Sequence, residues 1–567
     1  MMRPPALPPL QPSMRRTRPT PRRSASTLAV LAALVTASGV IPASAVEARI
    51  GPASATLAAH DLPPGVAWVA ASTDAEVDAA FARARAEKKP VFLYWGATWC
   101  PPCNQVKATI FTRAAFVERS RAFVPVYVDG DRPGAQKVGA RFAVSGYPTM
   151  VLFTPDGREL VRLPGEVEPE RYQEVLSLAL VAKRPAKAVL ADALGGGKAL
   201  TAAEWRLLAF HAWDVDPDLG AAATLPKTLA SLAARAEASS TAEPAVATRI
   251  RLKALAARDG TQGVAPAAER ARLVAVLADP RAARGQADVL VNYAGELVGD
   301  ASAPGTPERQ ALLAGYDAAL ARLSADGTLS RADRIGASIA RVDLARLDEA
   351  PVRKGEPEPA PRLDPRLVAD VRDLAVRLDR ETSDRYERQA VVTAAAHLLQ
   401  RAGLGTQSDA MLEANLSRSH SPYYLMSGLA GNAKKRGDTA AALDWSGRAY
   451  ATSVGPATRL QWGASHLGTR LDLAPGDEPP IEALVAELWR DAFPAQAADD
   501  AHARSARSLE RIGERLKGWN QAGAHAAAMR RIEASVDAVC AAGNRSAAER
   551  KRCRAPLDGK AAGASSA

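Results

Sequence analysis

Cysteine is scarce in this chain, which has only four in 567 residues. Cys100 and Cys103 stand in a Cys-x-x-Cys arrangement, and Cys540 and Cys553 follow more than 430 positions later. A structural zinc site needs four ligands, usually two close cysteine pairs or one pair with histidines. The second pair is thirteen residues apart and the seven histidines are scattered, so the sequence predicts no metal site. Covalent haem is also excluded, because Asn104 and not histidine follows Cys103.

Long apolar segments are missing as well. The chain has one short apolar run near its start, over residues 28–40, with six arginines and no acid in residues 1–27 before it and "IPASA" after it. This order predicts a secretory signal peptide over residues 1–45. An uncleaved anchor helix is the alternative, but a glycine and a proline interrupt a run that would need ~20 apolar residues to span a bilayer. We therefore expect an exported, soluble protein, periplasmic or otherwise outside the cytoplasm, without stable membrane insertion.

The chain also lacks a strong excess of charge of one sign. The formal net charge of +11 includes the arginines of the predicted signal peptide, and without them 67 basic side chains face 62 acidic ones. Aromatic residues make up 5% of the chain, and no basic stripe is interleaved with them. Nucleic-acid binding relies on such stripes. The sequence therefore predicts no nucleic-acid partner.

Residues 61–184 alternate between helical and strand patterns. A helix is predicted in "STDAEVDAAFARARAEKK", which begins with a capping serine or threonine, and a buried strand in "PVFLYWGA". "FVPVYVD" predicts a second strand, "TMVLFTPDGRELVRL" a two-stranded hairpin, and "EPERYQEVLSLALVA" a closing helix. A β-α-β half followed by a hairpin and a helix is the α/β thioredoxin-like fold, and the length suffices for one core.

Strand patterns almost vanish in the remainder of the chain. Alanine, leucine and arginine recur at helical spacing in residues 186–348 and 367–556, and a Pro-rich linker, residues 349–366, separates these regions. Residues 423–456 match the packing and turn positions of one tetratricopeptide-like unit. An irregular helical array is the alternative. Residues 557–567 are predicted to be a disordered tail. The sequence thus predicts a large all-α, helical repeat-like region that builds a surface.

The motif "TWCPPC" falls where a predicted strand gives way to a helix. A cysteine at a helix N-terminus has a lowered thiol pKa, because unpaired backbone N–H groups favour the thiolate. We expect Cys100 to be the exposed attacking sulfur and Cys103, one turn later, to resolve the mixed disulfide. The two prolines between them suit the first helical turn. A purely structural disulfide is the alternative, and Trp99, the strand-to-helix position and the downstream "SGYPT" speak against it.

Residues 88–182 resemble the thioredoxin superfamily, and within it the periplasmic C-terminal domain of the transmembrane reductase DsbD. The matching blocks are "KPVFLYWGATWCPPCNQVKATIF", "VPVYVDGD" and "VSGYPTMVLFTPDGRE". The resemblance implies that Cys100 is the nucleophile and Cys103 the resolving thiol. It also implies that Pro148 is a cis-proline that lets the backbone of Tyr147 pair with a substrate in the manner of an added strand.

The chain departs from this family at one position. Six residues before the first cysteine the family usually has a buried acid that helps to deprotonate the resolving thiol, and this chain has Tyr94. This departure puts the proton-transfer route in question, whereas the exchange reaction itself does not depend on it. Together with Tyr147 and Pro148, we take Trp99 as a predicted substrate-binding residue.

These observations favour an exported thiol–disulfide oxidoreductase that reduces protein disulfides without a cofactor. An oxidase or isomerase is an alternative, because the dipeptide between the cysteines tunes the potential without fixing its direction. A helical binding or assembly protein with an accessory thioredoxin unit is another. A reductase of this kind needs a separate electron-donor protein. In an oxidising compartment, Cys540 and Cys553 are expected to form a structural disulfide.

Overall fold

The computed structural model describes most of the chain after the predicted signal peptide. The described residues are 62–144, 146–221, 223–258, 263–350, 359–494 and 503–558. The predicted signal peptide lies outside them, as do residues 351–358 of the predicted linker and 559–567 of the predicted tail. Across the described ranges, no helix has both the length and the apolar character that crossing a bilayer requires.

A single mixed sheet of five strands forms the centre of the described N-terminal unit. Its strands are β1 (Val69–Ala71), β2 (Val91–Gly96), β3 (Val124–Asp129), β4 (Thr149–Phe153) and β5 (Glu159–Leu163). Their spatial order is β1-β3-β2-β4-β5. The first three strands are parallel, whereas β4 and β5 run antiparallel to their neighbours. Every residue of β2 is buried, as the continuous apolar run predicted.

Five α-helices surround this sheet. They are α1 (Asp74–Glu87), α2 (Pro101–Val106), α3 (Ala114–Arg119), α4 (Ala135–Arg141) and α5 (Pro169–Leu180). Helix α1 begins at Thr73, whose side chain forms a reciprocal capping box with Glu76. Helix α2 continues without a break into a π-helical turn, Lys107–Phe111. The short elements β1, α3 and α4 had no individual sequence pattern, because so few residues carry little periodicity.

The rest of the described chain is helical. The helices are α6 (Ala186–Gly195), α7 (Ala202–Ala209), α8 (Leu225–Glu237), α9 (Pro244–Ala256), α10 (Ala267–Ala278), α11 (Pro280–Gly285), α12 (Ala287–Asn292), α13 (Ala294–Ala301), α14 (Pro307–Ala325), α15 (Arg331–Ala345), α16 (Pro365–Glu381), α17 (Arg385–Arg401), α18 (Gly405–Asn415), α19 (Pro422–Lys435), α20 (Thr439–Thr452), α21 (Pro456–Leu473), α22 (Glu478–Ala492), α23 (Ala503–Trp519), α24 (Ala526–Ala541) and α25 (Ala547–Arg554). An α/β thioredoxin-like unit followed by a large all-α region is therefore confirmed.

Helices α19 and α20 correspond to the predicted tetratricopeptide-like unit. Gly437 turns the chain between them with a φ of 78°, a conformation that suits glycine. Ala442 and Ala449 are both buried, and small side chains let paired helices approach closely. The segment is a helical hairpin with the packing and turn residues that the sequence placed there.

The Pro-rich segment does not divide the helical region into two separately packed blocks. Ile335 and Val342 of α15 share one apolar cluster with Leu374 of α16 and Val391 of α17. These helices lie on opposite sides of the segment in the chain, so the core continues across it. The sequence showed a change in composition here, but composition alone does not reveal which faces meet.

Side chains alternate across the sheet and build two cores. Leu93 of β2 belongs to the core on the α1 face. Phe92 and Tyr94 belong to the core on the opposite face, and this second core continues into the helical region as far as Tyr424 and Trp462. The core on this face thus extends to residues that lie more than 320 positions later in the chain.

The structure joins Cys540 of α24 to Cys553 of α25 in a disulfide, and both residues are buried. Replacing both with serine should lower the free energy of unfolding of this C-terminal part by about 3 kcal/mol, because the bond closes a short loop in the unfolded chain. Denaturant unfolding under non-reducing conditions measures the change. Disulfide exchange should persist in the double variant. Loss of turnover in a folded double variant would instead assign these cysteines to a redox relay.

Candidate active site

The junction between β2 and α2 positions the Cys100–Cys103 pair. Strand β2 ends at Gly96, and Cys100 occupies the N-cap position of α2, which begins at Pro101. The two cysteines form a disulfide with their Cα atoms 5.2 Å apart. The backbone N–H of Cys103 donates to the Cys100 sulfur over 3.1 Å. When the pair is reduced, this donor and the helix N-terminus favour negative charge on Cys100.

Asn104 fixes the loop that carries the first cysteine. Its side chain is fully buried, and its Nδ2 donates to the carbonyl oxygens of Thr98, at 2.8 Å, and Cys100, at 2.9 Å. These bonds add to the backbone bonds of Cys100, whose N–H donates to the Ala97 carbonyl and whose carbonyl accepts from the Asn104 N–H. Sequence reasoning used Asn104 only to exclude haem and missed this role.

The predicted substrate-binding residues lie together at this end of the sheet. The Tyr147–Pro148 peptide bond is cis, and both residues are half-buried just before β4 begins. Strand β4 pairs with β2, so this turn lies next to the strand that leads to the cysteines. The ring centroids of Trp99 and Tyr147 are 5.8 Å apart. Cys540 and Cys553 belong to a different apolar cluster from Cys100.

Tyr94, at the position where the family usually has a buried acid, is fully buried among aromatic rings. Its ring stacks on Tyr127, with centroids 5.2 Å apart and planes 22° apart. It also meets Phe111 edge-on at 4.9 Å. Aromatic pairs with these geometries are favourable. This chain therefore has a neutral, closely packed aromatic ring at the position where the family usually has an acid.

Lys107 lies one helical turn after Cys103 and has a fully buried side chain. Its Nζ lies 5.7 Å from the ring centroid of Tyr127 and 5.5 Å from that of Tyr386 in α17. Aromatic faces attract cations at such distances. Lys107 therefore contacts both β3 and α17 through aromatic rings. The sequence had not singled out this residue.

Helices α19 and α21 cover the site with aromatic side chains. The ring of Tyr424 stacks on Trp99, with centroids 5.9 Å apart and planes 18° apart. Trp462 meets Trp99 nearly at a right angle, at 6.4 Å. Burial raises the pKa of Tyr424 above its usual range, so its hydroxyl stays protonated at physiological pH.

Asp131 and His420 link this covering layer to the loop by hydrogen bonds. One carboxylate oxygen of Asp131 accepts from the Trp99 indole N–H at 2.7 Å, and the other accepts from the Thr458 hydroxyl at 2.5 Å. Hydrogen bonds to a charged group contribute roughly 1.5–3 kcal/mol each. Nε2 of His420 lies 3.0 Å from the carbonyl oxygen of Thr98. We call Tyr424, Trp462, Thr458 and His420 the helical cover.

The expectation of an exposed attacking sulfur is wrong. Cys100 is 2% exposed and Cys103 is fully buried, while Trp99 is 4% exposed. Helix α17 packs against α2, and the helical cover packs on Trp99 and on the Thr98 carbonyl, so helices from far along the chain enclose the cysteine loop. The chain has few aromatic residues, so Tyr424 and Trp462 were visible as unusual, but no sequence signal assigned them to the dithiol.

Comparison with known proteins adds a family match over the same residues. Residues 77–180 match the family model described as a thioredoxin-like domain. Thioredoxin 1 of Chlorobaculum tepidum is 34% identical over 93 residues, which is 16% of this chain and 87% of that protein.

Two longer relatives each match about a fifth of the chain. The thiol:disulfide interchange protein DsbD 1 of Pseudomonas aeruginosa is 31% identical over 126 residues, and DsbD of Pseudomonas fluorescens is 29% identical over 128 residues. The matches cover 21% and 22% of this chain. In both cases the chain spans only 21% of the relative's length. The family model, over residues 77–180, lies in the α/β unit.

His466 of α21 generates a pH prediction for the helical cover. Burial lowers the pKa of His466 to about 4, and the nearby Arg470 guanidinium adds to this shift. The neutral ring is hydrogen-bonded: its Nδ1 lies 2.7 Å from the Ser446 hydroxyl, and its Nε2 accepts from Arg470 at 3.1 Å. The unfolded chain takes up the proton near pH 6.5 and the folded chain only near pH 4, so stability falls as pH drops through this window.

The expected loss is roughly 3 kcal/mol between pH 7 and pH 4, because each unit of pKa difference corresponds to about 1.4 kcal/mol. His466→Gln keeps a polar side chain without a titrating group, and it should remove this part of the acid sensitivity. Denaturant unfolding of both proteins at pH 7 and pH 4.5 measures the difference. Equal losses in both would show that His466 does not titrate in this way.

Proposed function

This chain belongs to the thioredoxin family, and we propose that it is an exported thiol–disulfide oxidoreductase that reduces protein disulfides through Cys100 and Cys103. The observation that carries the proposal is the disulfide at the start of α2, where the Cys103 N–H donates to the Cys100 sulfur. This geometry joins a stabilised attacking sulfur to a second sulfur one helical turn away.

The first step begins with the reduced pair. The Cys100 thiolate attacks one sulfur of the substrate disulfide, the substrate S–S bond breaks, and the other substrate sulfur leaves as a thiolate and takes up a proton. Cys100 is now joined to the substrate by a mixed disulfide. The α2 N-terminus and the Cys103 N–H lower the cost of the starting thiolate.

The second step releases the substrate. The Cys103 thiolate attacks the Cys100 sulfur, the mixed disulfide breaks, and the second substrate sulfur leaves and is protonated. Two electrons and two protons have then moved to the substrate, and the pair has reached the disulfide state found in the structure. Intramolecular attack is fast because the second thiol is held near its target.

Repeated turnover requires a separate protein dithiol that reduces the Cys100–Cys103 disulfide again. The reductive direction rests on the resemblance to the DsbD C-terminal domain. Export rests on the basic, apolar and small-residue order of the N-terminal sequence.

A helical binding protein with an inactive thioredoxin unit is the second candidate function. The burial of Cys100 beneath the helical cover favours it, because a sulfur that is 2% exposed meets no protein substrate in this conformation. The intact cysteine pair and the ordered loop at Asn104 favour exchange. Trapping of reaction partners distinguishes the two.

Cys103→Ala should accumulate mixed disulfides through Cys100, because the resolving thiol is missing and external thiols compete poorly with a neighbouring one. The experiment exposes the reduced variant to an exported-protein extract and separates the products without reductant. Mass spectrometry of the captured complexes also reports the first residue of the chain, which we expect near Val46 if the signal peptide is removed.

The matched control is Cys100→Ala, which keeps the resolving thiol but should capture little and lose turnover. The Cys540–Cys553 disulfide stays intact in both variants. A folded Cys103→Ala that captures no partner favours the binding-protein function. Capture of partners by a chain that still begins at Met1 or Met14 would contradict export with signal removal.

The reduction potential of the Cys100–Cys103 pair tests the direction of electron flow. We expect a value near ~−270 mV, typical of a reductant such as thioredoxin, whereas an oxidant such as DsbA lies near −120 mV. Equilibration with a glutathione or dithiothreitol redox series, followed by alkylation of free thiols, measures it. A value close to that of the oxidant would assign the chain to disulfide formation.

A further inference from the structure

The geometry points to the helical cover as the specificity determinant of the exchange reaction. We propose that Tyr424, Trp462 and Thr458 keep bulky protein disulfides away from Cys100 in the closed chain. Small disulfides need only a slight opening of the cover, and protein disulfides react only when α19 and α21 are displaced. This inference rests on the proposed function and concerns which substrates that site accepts.

The cover meets the site with the N-terminal turns of two helices. Tyr424 is near the start of α19, and Thr458 and Trp462 are in the first two turns of α21. All of the aromatic cover belongs to the same apolar cluster as Trp99, Cys100 and Cys103. The layer thus packs on Trp99, the residue next to Cys100, whereas α17 packs directly against α2.

The backbone between α20 and α21 lies close to Asp131 in the loop after β3. At Gly455, with a φ of 89°, an added Cβ would lie 2.7 Å from the Cβ of Asp131. Asp131 in turn holds the Trp99 indole and the Thr458 hydroxyl. Thr458 is thus a positioning residue that acts on Trp99 through Asp131. The helical cover therefore meets the loop next to the dithiol through close packing and through hydrogen bonds.

Separate contacts hold the thioredoxin-like unit to other helices. Arg206 of α7 pairs with Glu174 of α5, and Arg284 of α11 pairs with Glu168. These ion pairs involve neither α19 nor α21. The cover can open locally while the two parts of the chain stay attached, and local opening costs less when fewer contacts break.

Substrate size then decides reactivity. Attack requires the substrate disulfide to reach the Cys100 sulfur, and a protein substrate must also place its backbone beside Trp99 and Tyr147. A small disulfide needs room for two sulfur atoms and short arms. The opening for a protein breaks more of the contacts made by Tyr424 and Trp462 than the opening for a small molecule does.

The test compares two probes in single turnover with the pre-reduced full chain: 2-hydroxyethyl disulfide as the small disulfide and insulin as the protein disulfide. In each case two electrons and two protons pass from Cys100 and Cys103 to the probe, so no other reductant is needed. We expect Trp462→Ala to accelerate the reaction with insulin at least tenfold and the reaction with the small probe less than threefold. The ratio of the two rates is the readout, because general loosening would raise both alike.

Thr458→Val is the second variant, since it keeps the shape of the side chain but removes the hydroxyl that donates to Asp131. It should raise the insulin rate two- to fivefold with a smaller effect on the small probe. Trp519→Ala is the matched control: this tryptophan stacks on His525 in the C-terminal part and does not contact the dithiol. Its rate ratio should equal that of the unaltered chain.

The possible outcomes separate this inference from the proposed function. A folded Thr458→Val or Trp462→Ala with an unchanged rate ratio overturns the role of the cover. An unaltered chain that reduces insulin as fast as the small probe does the same and leaves the exchange function standing. If the unaltered chain reduces neither probe although its dithiol is reduced, the proposed function fails, and the inference fails with it.

Discussion

The carboxylate of Asp131 links the two parts of this chain beside the dithiol through both of its oxygens. It accepts a hydrogen bond from the indole of Trp99, next to Cys100, and another from Thr458 in α21. Because both oxygens are engaged, one carboxylate joins the loop after β3 to the Cys-x-x-Cys loop and to the start of α21. The stacked rings of Tyr424 and Trp462 fill the space around this link.

Enclosure of the dithiol changes the electrostatics of the pair. A buried thiolate is costly, because little water is available to solvate its charge. Two features offset this cost: the start of α2 and the Cys103 N–H directed at the Cys100 sulfur. The site is therefore built for thiolate chemistry in an enclosed setting.

The helical region has an unusual relation to the thioredoxin-like unit. Helical hairpins such as α19 and α20 commonly build surfaces for other proteins, and the sequence suggested such a role. Here the start of α19 faces the active site of its own chain. A partner that binds this surface would also change access to the site, so partner binding and access to Cys100 depend on the same contacts.

The sequence by itself determined the chemistry and the local elements that carry it. The apolar run of β2, the capping box of α1, the hairpin of β4 and β5 and the cysteine pair at a strand-to-helix junction all follow from short-range patterns, which depend on neighbours within a few residues. The helical hairpin around Gly437 did so as well. Each of these features is encoded by periodicity, turn residues or spacing.

Only the tertiary structure decided that Cys100 is enclosed. The contacts of Trp99 with Tyr424 and Trp462, and of Asp131 with Thr458, join residues more than 300 positions apart, and the continuous core across the Pro-rich segment joins helices on either side of it. No local pattern encodes which helix faces meet, because an apolar stripe looks the same whatever it packs against. Short-range sequence patterns therefore indicate the dithiol and its place at a helix start, while its exposure depends on how the distant helices pack.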